Sequence, residues 1–478
     1  MYTTNDLNKT FQDLCDKTLA SMKTHKVPGV AVGLIAGGEE FTQGFGVTSL
    51  EHPLPITTDT LFQIGSTTKT VTTTAIMRLV ERGLLELDKP VKTYVKGFRV
   101  KDKFAGDNVT VKQLLNHTSG WLGDYFENTG DGDDALTKYT AKLVQLTPLG
   151  EVWSYNNSAF SLAGRVIENV TKKPYELAVQ ELVLEPLGLS NSFFFPAQVM
   201  LGRFAVGHAT QKFGDEEKVI VAHPWPIPRS SNAAGGLCSS LKDQLRYARF
   251  HLGDGRNWKG ERILSKGSMR LMQIPTVSAG FDEFTGLSWF LGTRKGGGKS
   301  LSVVAHGGAT NGQQSMFWLA HKPQFALTVL TNADKGGLLN NELNKWVMEH
   351  YFGIVEKEPT PLELPTQKLR DYVGVYKDAA FGGLLEIKLE DESLVLHFTP
   401  GDYSSFTDVP NTQPPPVKLG VYAKDRLIEL NGEGKGNRSE FLRDKEGQIA
   451  WLQASGRIVF SMSSGDSTLI NVQGRESI

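Results

Sequence analysis

Ser66 and Lys69 stand three residues apart in the run Phe62-Gln63-Ile64-Gly65-Ser66-Thr67-Thr68-Lys69. On a helix opening at Ser66, that step puts both side chains on one face. A serine hydroxyl is a weak nucleophile until a neighbour takes its proton, and a lysine one turn away can do so once burial lowers its pKa from about 10.4. The start of a helix adds backbone N–H groups suited to an oxyanion. The tetrapeptide alone is weak evidence. Ser239 and Lys242 repeat it, and a capping serine beside a solvated lysine spells the same letters without chemistry.

Two further stretches carry residue types that complement such a serine. Tyr155-Asn156-Asn157 follows Trp153-Ser154 and precedes an apolar run from Phe160 to Val170. A phenol near a cation serves as base or proton relay, and an amide two residues on can orient a carbonyl. The alternative is an Asn-rich turn with a tyrosine packed at a helix start. His306-Gly307-Gly308 follows the apolar stretch Leu301 to Ala305. Two glycines at a strand let another backbone approach closely, as a ligand bound by strand-like hydrogen bonds does; the alternative is a bulge with an incidental histidine.

The elements that would have to position these residues can be read from periodicity and turn residues. Leu7, Phe11, Leu14, Leu19 and Met22 fall close to helical spacing over residues 4–24. Strand-like runs Val30–Ala36 and Glu40–Val47 flank Gly37-Gly38, which suits a tight hairpin. Residues 67–85 read as a buried helix closed near Gly83, and 86–200 read as mainly helical. After about residue 285 strands return, with Leu301–Ala305, Ser315–Ala320 and Phe325–Thr331 followed by a helix over Asn340–Tyr351. This order predicts an α+β fold, an antiparallel sheet flanked by helices with a helical subdomain. The three prolines of Glu356 to Thr366 mark a connector. Beyond it about seven short alternating runs, among them Leu384–Leu389, Ser393–Phe398, Arg426–Leu430, Gly447–Gln453 and Arg457–Ser461, predict a small antiparallel β-barrel. The expected domains are 1–355 and 367–478, joined by 356–366.

Together the three chemical stretches resemble the serine β-lactamase and penicillin-binding-protein superfamily, in particular the branch of class C β-lactamases, D-aminopeptidases and related esterases. Leu115-Asn116-His117-Thr118-Ser119-Gly120, Ala234-Gly235-Gly236-Leu237 and Gly286-Leu287-Ser288-Trp289 extend the resemblance across roughly residues 10 to 352. It implies Ser66 as the acylated nucleophile, Lys69 and Tyr155 as a coupled proton-transfer pair, and Asn157 in contact with the substrate amide. The oxyanion hole would use the backbone N–H groups of Ser66 and Ala309, with His306, Gly307 and Gly308 lining the substrate. His306 replaces the lysine usual in true β-lactamases, and neutral imidazole offers a β-lactam carboxylate at most one hydrogen bond; family members with histidine here tend to be peptidases. The segment from Leu369 to Tyr376 resembles the lipocalin-like barrel appended to several such peptidases. Its expected role is to shape or cover the cleft or to hold subunits together, ahead of binding an apolar ligand, because so short a barrel has little interior volume once its own side chains fill it.

Composition narrows the classes further. In 478 residues, 51 Lys and Arg balance 52 Asp and Glu, so no basic surplus exists for nucleic acid or an anionic membrane. Cys15 and Cys238 are too few for a disulfide framework or a cysteine zinc site. There is no HExxH pair and no glycine-rich nucleotide motif, so neither metal nor cofactor is expected. Ser66 does not sit in a Gly-x-Ser-x-Gly elbow. Charges at Asp6, Lys9, Asp13, Asp16, Lys17 and Lys23 break any secretory signal, and the apolar run Val27–Ala36 is too short for a membrane helix; a cytoplasmic location is expected. The acidic cluster Asp124, Glu127, Asp131, Asp133 and Asp134 either recognises a substrate amine or is a solvated loop. The expected activity is acyl-enzyme hydrolysis of amide or peptide bonds, plausibly in peptides containing D-amino acids, on a small-molecule or short-peptide substrate, with homo-oligomerisation open. The alternatives are an esterase or acyltransferase of the same mechanism and a non-catalytic scaffold.

Overall fold

The computed structural model describes residues 4–132, 134–213, 216–402, 404 and 413–462; Asp133 of the acidic cluster lies outside them. A single antiparallel sheet organises the N-terminal two-thirds. Its strands are β1 (Gly29–Ala36), β2 (Glu39–Gly46), β3 (Val277–Gly280), β4 (Glu283–Thr285), β5 (Phe290–Gly296), β6 (Lys299–Thr310), β7 (Gln313–Ala320) and β8 (Phe325–Thr331), in spatial order β2-β1-β8-β7-β6-β5-β4-β3. β1 is buried along its whole length because both faces are covered. Val30, Val32 and Leu34 pack with Leu7 and Leu14 of α1 (Thr4–His25) and Leu339, Leu343 and Val347 of α5 (Gly336–Phe352). Ala31 and Ile35 join the opposite core, where a Cβ on Gly33 would come within 2.9 Å of Leu241 on α4 (Leu241–Leu252). A strand covered on both faces reads as a continuous apolar run. The expected hairpin is present: Gly37 and Gly38 both take positive φ, and Ala36 pairs with Glu39.

The helix carrying Lys69 is α2 (Thr68–Glu81), entered through a 3-10 turn at Gly65–Thr67. Several of its buried threonines are satisfied by backbone carbonyls, although the Thr73 hydroxyl has no partner among the described residues. Thr70 Oγ1 donates to Thr67 O at 2.8 Å, Thr74 Oγ1 to Thr70 O at 2.9 Å and Thr72 Oγ1 to Ala233 O at 2.8 Å, so a polar helix can run through the core. The helix closes near Gly83 as expected: Gly83 takes positive φ, and Leu84 N bonds back to Leu79 O.

Residues 86–200 depart from expectation. α3 (Asn157–Thr171) is the only helix of ten or more residues described there; the others are short, such as Lys103–Asn108 and Val111–Leu115. Residues 116–126 form a mostly buried loop, held by bonds such as Asn156 Nδ2 to Trp121 O at 2.7 Å and Ser158 Oγ to Leu122 O at 2.7 Å. Residues 353–365 carry neither helix nor strand.

The barrel has eight strands where about seven were read: β9 (Gly374–Lys377), β10 (Leu384–Glu390), β11 (Ser393–Thr399), β12 (Val417–Ala423), β13 (Arg426–Glu429), β14 (Arg438–Arg443), β15 (Ile449–Ala454) and β16 (Arg457–Ser461). It closes where Tyr376 pairs with Ser461. Tyr376, Ile387, Leu394, Leu427, Phe441 and Leu452 fill its interior.

Candidate active site

Ser66 is presented by a turn wedged against β6, and two glycines make that contact possible. A Cβ on Gly308 would fall 1.9 Å from Ile64 O and 2.7 Å from Ser66 N; one on Gly65, at φ +51°, would fall 2.6 Å from Ala309 N. Ser315 Oγ of β7 fastens the turn by donating to Ile64 O at 2.7 Å. Gly308 therefore does admit a second backbone, and it is the protein's own. The result brings the backbone nitrogens of Ser66 and Ala309 to one corner, the arrangement an oxyanion site requires.

Lys69 is fully buried beneath that corner. Its Nζ lies 3.0 Å from Ser66 Oγ, 2.6 Å from Asn157 Oδ1 and 2.6 Å from Ala234 O. The last two are amide oxygens that can only accept, so a neutral amine commits both N–H bonds to them and turns its lone pair toward the serine hydroxyl. Burial holds the Lys69 pKa well below the usual lysine range; the Asp124 charge opposes that shift and the Arg457 charge adds to it. The other Ser-x-x-Lys differs in kind: Lys242 is 57% exposed and ion-paired with Asp59.

Asn157 opens α3, capped by Asn156, whose side chain accepts from Ala159 N. Its amide nitrogen donates to Asp124 Oδ1 at 2.5 Å, and because a carboxylate only accepts, this fixes the amide with its oxygen toward Lys69. Tyr155 is buried, its ring stacked on His117 at 4.5 Å and Phe290 at 6.1 Å. Burial raises its pKa above that of a free phenol, so it rests protonated. His306 is 2% exposed; its Nδ1 donates to Gly307 O at 2.6 Å, and burial lowers its pKa to about 3. It is a neutral imidazole with Nε2 left as an acceptor.

Ser66, Tyr155, Asn157, His306, Gly307, Gly308 and Ala309 line one cleft of about 1900 Å³, with Lys69 under its floor. Of the acidic cluster, Asp124 is drawn into the core of the site, whereas Glu127 faces out and pairs with Lys142 at 3.0 Å. The sequence reading missed Arg457, which the barrel delivers to the site. The barrel docks through Tyr155 N to Gly456 O at 2.9 Å and Trp451 Nε1 to Leu146 O at 3.1 Å, placing the Arg457 guanidinium on Asp124 and 5.1 Å from the Tyr155 ring. Nothing in an arginine at the start of a short strand distinguishes it from a surface residue. His117, in the Leu115–Gly120 stretch, also lies in the site, where its Nδ1 accepts from Asn156 N at 3.0 Å. Among the described residues no group of three or more His, Cys, Asp or Glu side chains is placed to hold a metal ion.

A buried lysine amine aimed at a serine, under two backbone N–H groups, defines a serine hydrolase of the acyl-enzyme class. The family model described as Beta-lactamase matches residues 14–351, and the chain belongs to that family of serine hydrolases. Penicillin-binding protein 4 of Amycolatopsis lactamdurans is 33% identical over 353 residues, covering 71% of this chain and 92% of the relative. Two solved structures share the fold across nearly the whole chain. SurE with D-Leu superposes with a TM-score of 0.73 at 23% identity, covering 95% of this chain and 100% of SurE. The octameric penicillin-binding protein homologue from Pyrococcus abyssi gives 0.63 at 24% identity, covering 94% and 98%. No helix among the described residues is long and apolar enough to cross a membrane.

Proposed function

We propose that the chain hydrolyses amide bonds in peptides, including those that contain D-amino acids, through an acyl-enzyme at Ser66. The observation that carries this reading is the Lys69 amine, buried and 3.0 Å from Ser66 Oγ with its other two contacts made to acceptor-only oxygens. Lys69 takes the hydroxyl proton as Ser66 Oγ attacks the carbonyl carbon. The oxyanion forms against the N–H groups of Ser66 and Ala309. The Tyr155 phenol protonates the departing amine and is reprotonated from the Lys69 ammonium; water then repeats the sequence on the ester. Asn157 and Gly307 contact the substrate backbone.

A peptide suits the cleft, whose volume of about 1900 Å³ exceeds the roughly 300–1000 Å³ of ordinary small-molecule pockets. Neutral His306 disfavours a small carboxylate such as that of a β-lactam, and the D-Leu held by the structural neighbour SurE supports the D-amino-acid preference. The reading includes a cytoplasmic setting and self-association, the Pyrococcus abyssi homologue being octameric. A panel of D- and L-aminoacyl amides and p-nitrophenyl esters, assayed with wild type and Ser66→Ala, tests it. The expected result is Ser66-dependent amide turnover, faster for D-residues. Turnover of activated esters alone would replace the peptidase with an esterase, and transfer to an added amine in preference to water would make it an acyltransferase.

A further inference from the structure

A continuous line of polar contacts runs from the nucleophile to the barrel. Ser66 Oγ meets Lys69 Nζ, Lys69 meets Asn157 Oδ1, Asn157 Nδ2 donates to Asp124 Oδ1, and Asp124 Oδ2 accepts from Arg457 Nε. Arg457 Nη2 lies 3.5 Å from Asp124 Oδ1. From Lys69 outward, each link has one permitted polarity. Arginine only donates, carboxylate only accepts, and the amide between Asp124 and Lys69 must then turn its oxygen to the amine.

We infer that Arg457, supplied by the barrel, is a positioning residue for the reaction at Ser66: it pins Asp124, which orients Asn157, and it cancels the carboxylate charge that would otherwise hold a proton on Lys69. The inference rests on the proposed role of Lys69 as base. Among the described residues, the titratable groups facing Lys69 are Tyr155 and His117 from the segments flanking the cleft, His306 from β6, Asp124 from the 116–126 loop and Arg457 from the barrel. Tyr155, His117 and His306 are uncharged at neutral pH, because burial raises the phenol and lowers both imidazoles. That leaves Asp124 and Arg457 as the charges that decide the protonation of Lys69, with Asp378 at one remove beside both. An unpaired Asp124, one amide away from the amine, would favour ammonium, which has no lone pair for the serine proton. Arg457 is 44% exposed, so solvent limits its influence to about one pH unit.

Two readouts test this on the full-length protein. The first is an NMR titration of lysine labelled with 13C at Cε, with the Lys69 signal assigned by its loss in Lys69→Met. Arg457→Met is expected to raise the Lys69 midpoint by about one pH unit, and Asp124→Asn to lower it. Asp124→Asn combined with Arg457→Met should return near wild type, and Arg457→Lys should stay there. The second is the pH profile of fluorophosphonate labelling, whose acid limb should move with the same midpoints. A Lys69 midpoint unmoved by Arg457→Met would overturn the inference, as would a midpoint raised equally by Arg457→Lys. The two proposals fail separately. Absence of labelling in wild type removes Ser66 as nucleophile, whereas the NMR midpoints decide the role of Arg457 whether or not the serine is labelled.

Discussion

At the scale of the residue, the site turns on how a lysine is kept from being an ammonium. Burial alone would produce an orphaned amine, costly unless its hydrogens are placed. Asn157 Oδ1 and Ala234 O, each 2.6 Å away, place them, and the remaining lone pair faces Ser66. Replacing Lys69 by Ala should lower the rate of Ser66 acylation by at least about a hundredfold, the scale of a positioned general base. Tyr155→Phe should cost a similar factor on amide substrates, whose leaving amine needs a proton, and less on activated esters, whose leaving group does not. Stopped-flow acylation measurements check both variants, and an unchanged rate in either one removes that residue from proton transfer.

At the scale of the element, the turn before α2 and the strand β6 form one unit, because Gly308 and Gly65 let them touch. Gly308→Ala places a methyl 1.9 Å from Ile64 O, a contact with backbone that no rotamer relieves. The turn must move away from β6, separating the two N–H groups of the oxyanion corner. A loss of at least about a hundredfold in acylation is expected, with destabilisation of about 1–3 kcal/mol; thermal unfolding and acylation kinetics on the same variant measure the two. Much of this was legible in sequence. β1 and β2 could be read because Gly37-Gly38 is a distinctive turn between apolar runs, and Ser66, Lys69, Tyr155, Asn157 and His306 because their types and spacing are chemically selective. What escaped were elements set by tertiary contact. α5 begins at Gly336, four residues before the reading placed it, because Gly336-Gly337 have poor helix propensity and are held against Thr331 and Gln314. The stretch around Thr118-Ser119-Gly120 and Asp124 was legible as loop, but nothing in its sequence showed that Trp121, Leu122, Leu136 and Tyr139 would be buried.

At the scale of the whole molecule, the barrel is a wall of the cleft. It contributes Gly456 and Arg457 beside Tyr155, and Phe381, Leu385 and Phe398 to the lining. No periodicity links residue 457 to residue 124, so this junction was not legible in sequence. The core also carries a pH liability. Burial lowers the pKa of His251 and His306 to about 3 and that of His117 well below its usual 6.5. In the unfolded chain these imidazoles titrate near 6.5 and bind protons the folded state refuses, so stability is complete above that pH and declines as pH falls below it. His251 and His306 each contribute a loss of about 2 kcal/mol by pH 5, and His117 adds to it in the same direction. Denaturant unfolding at pH 7.5 and 5.0 should show a large drop. His251→Phe, remote from Ser66, should shrink that drop by about 2 kcal/mol; a pH dependence unchanged in this variant would contradict the assignment.

The central claim is that Ser66 becomes a nucleophile because Lys69 strips its proton, and covalent labelling tests it most directly. After incubation of the intact protein with a fluorophosphonate, peptide mapping by mass spectrometry should find one adduct, on Ser66, forming at least about a hundredfold more slowly in Lys69→Ala and absent in Ser66→Ala. An adduct on any other residue, or a rate indifferent to Lys69, would contradict it.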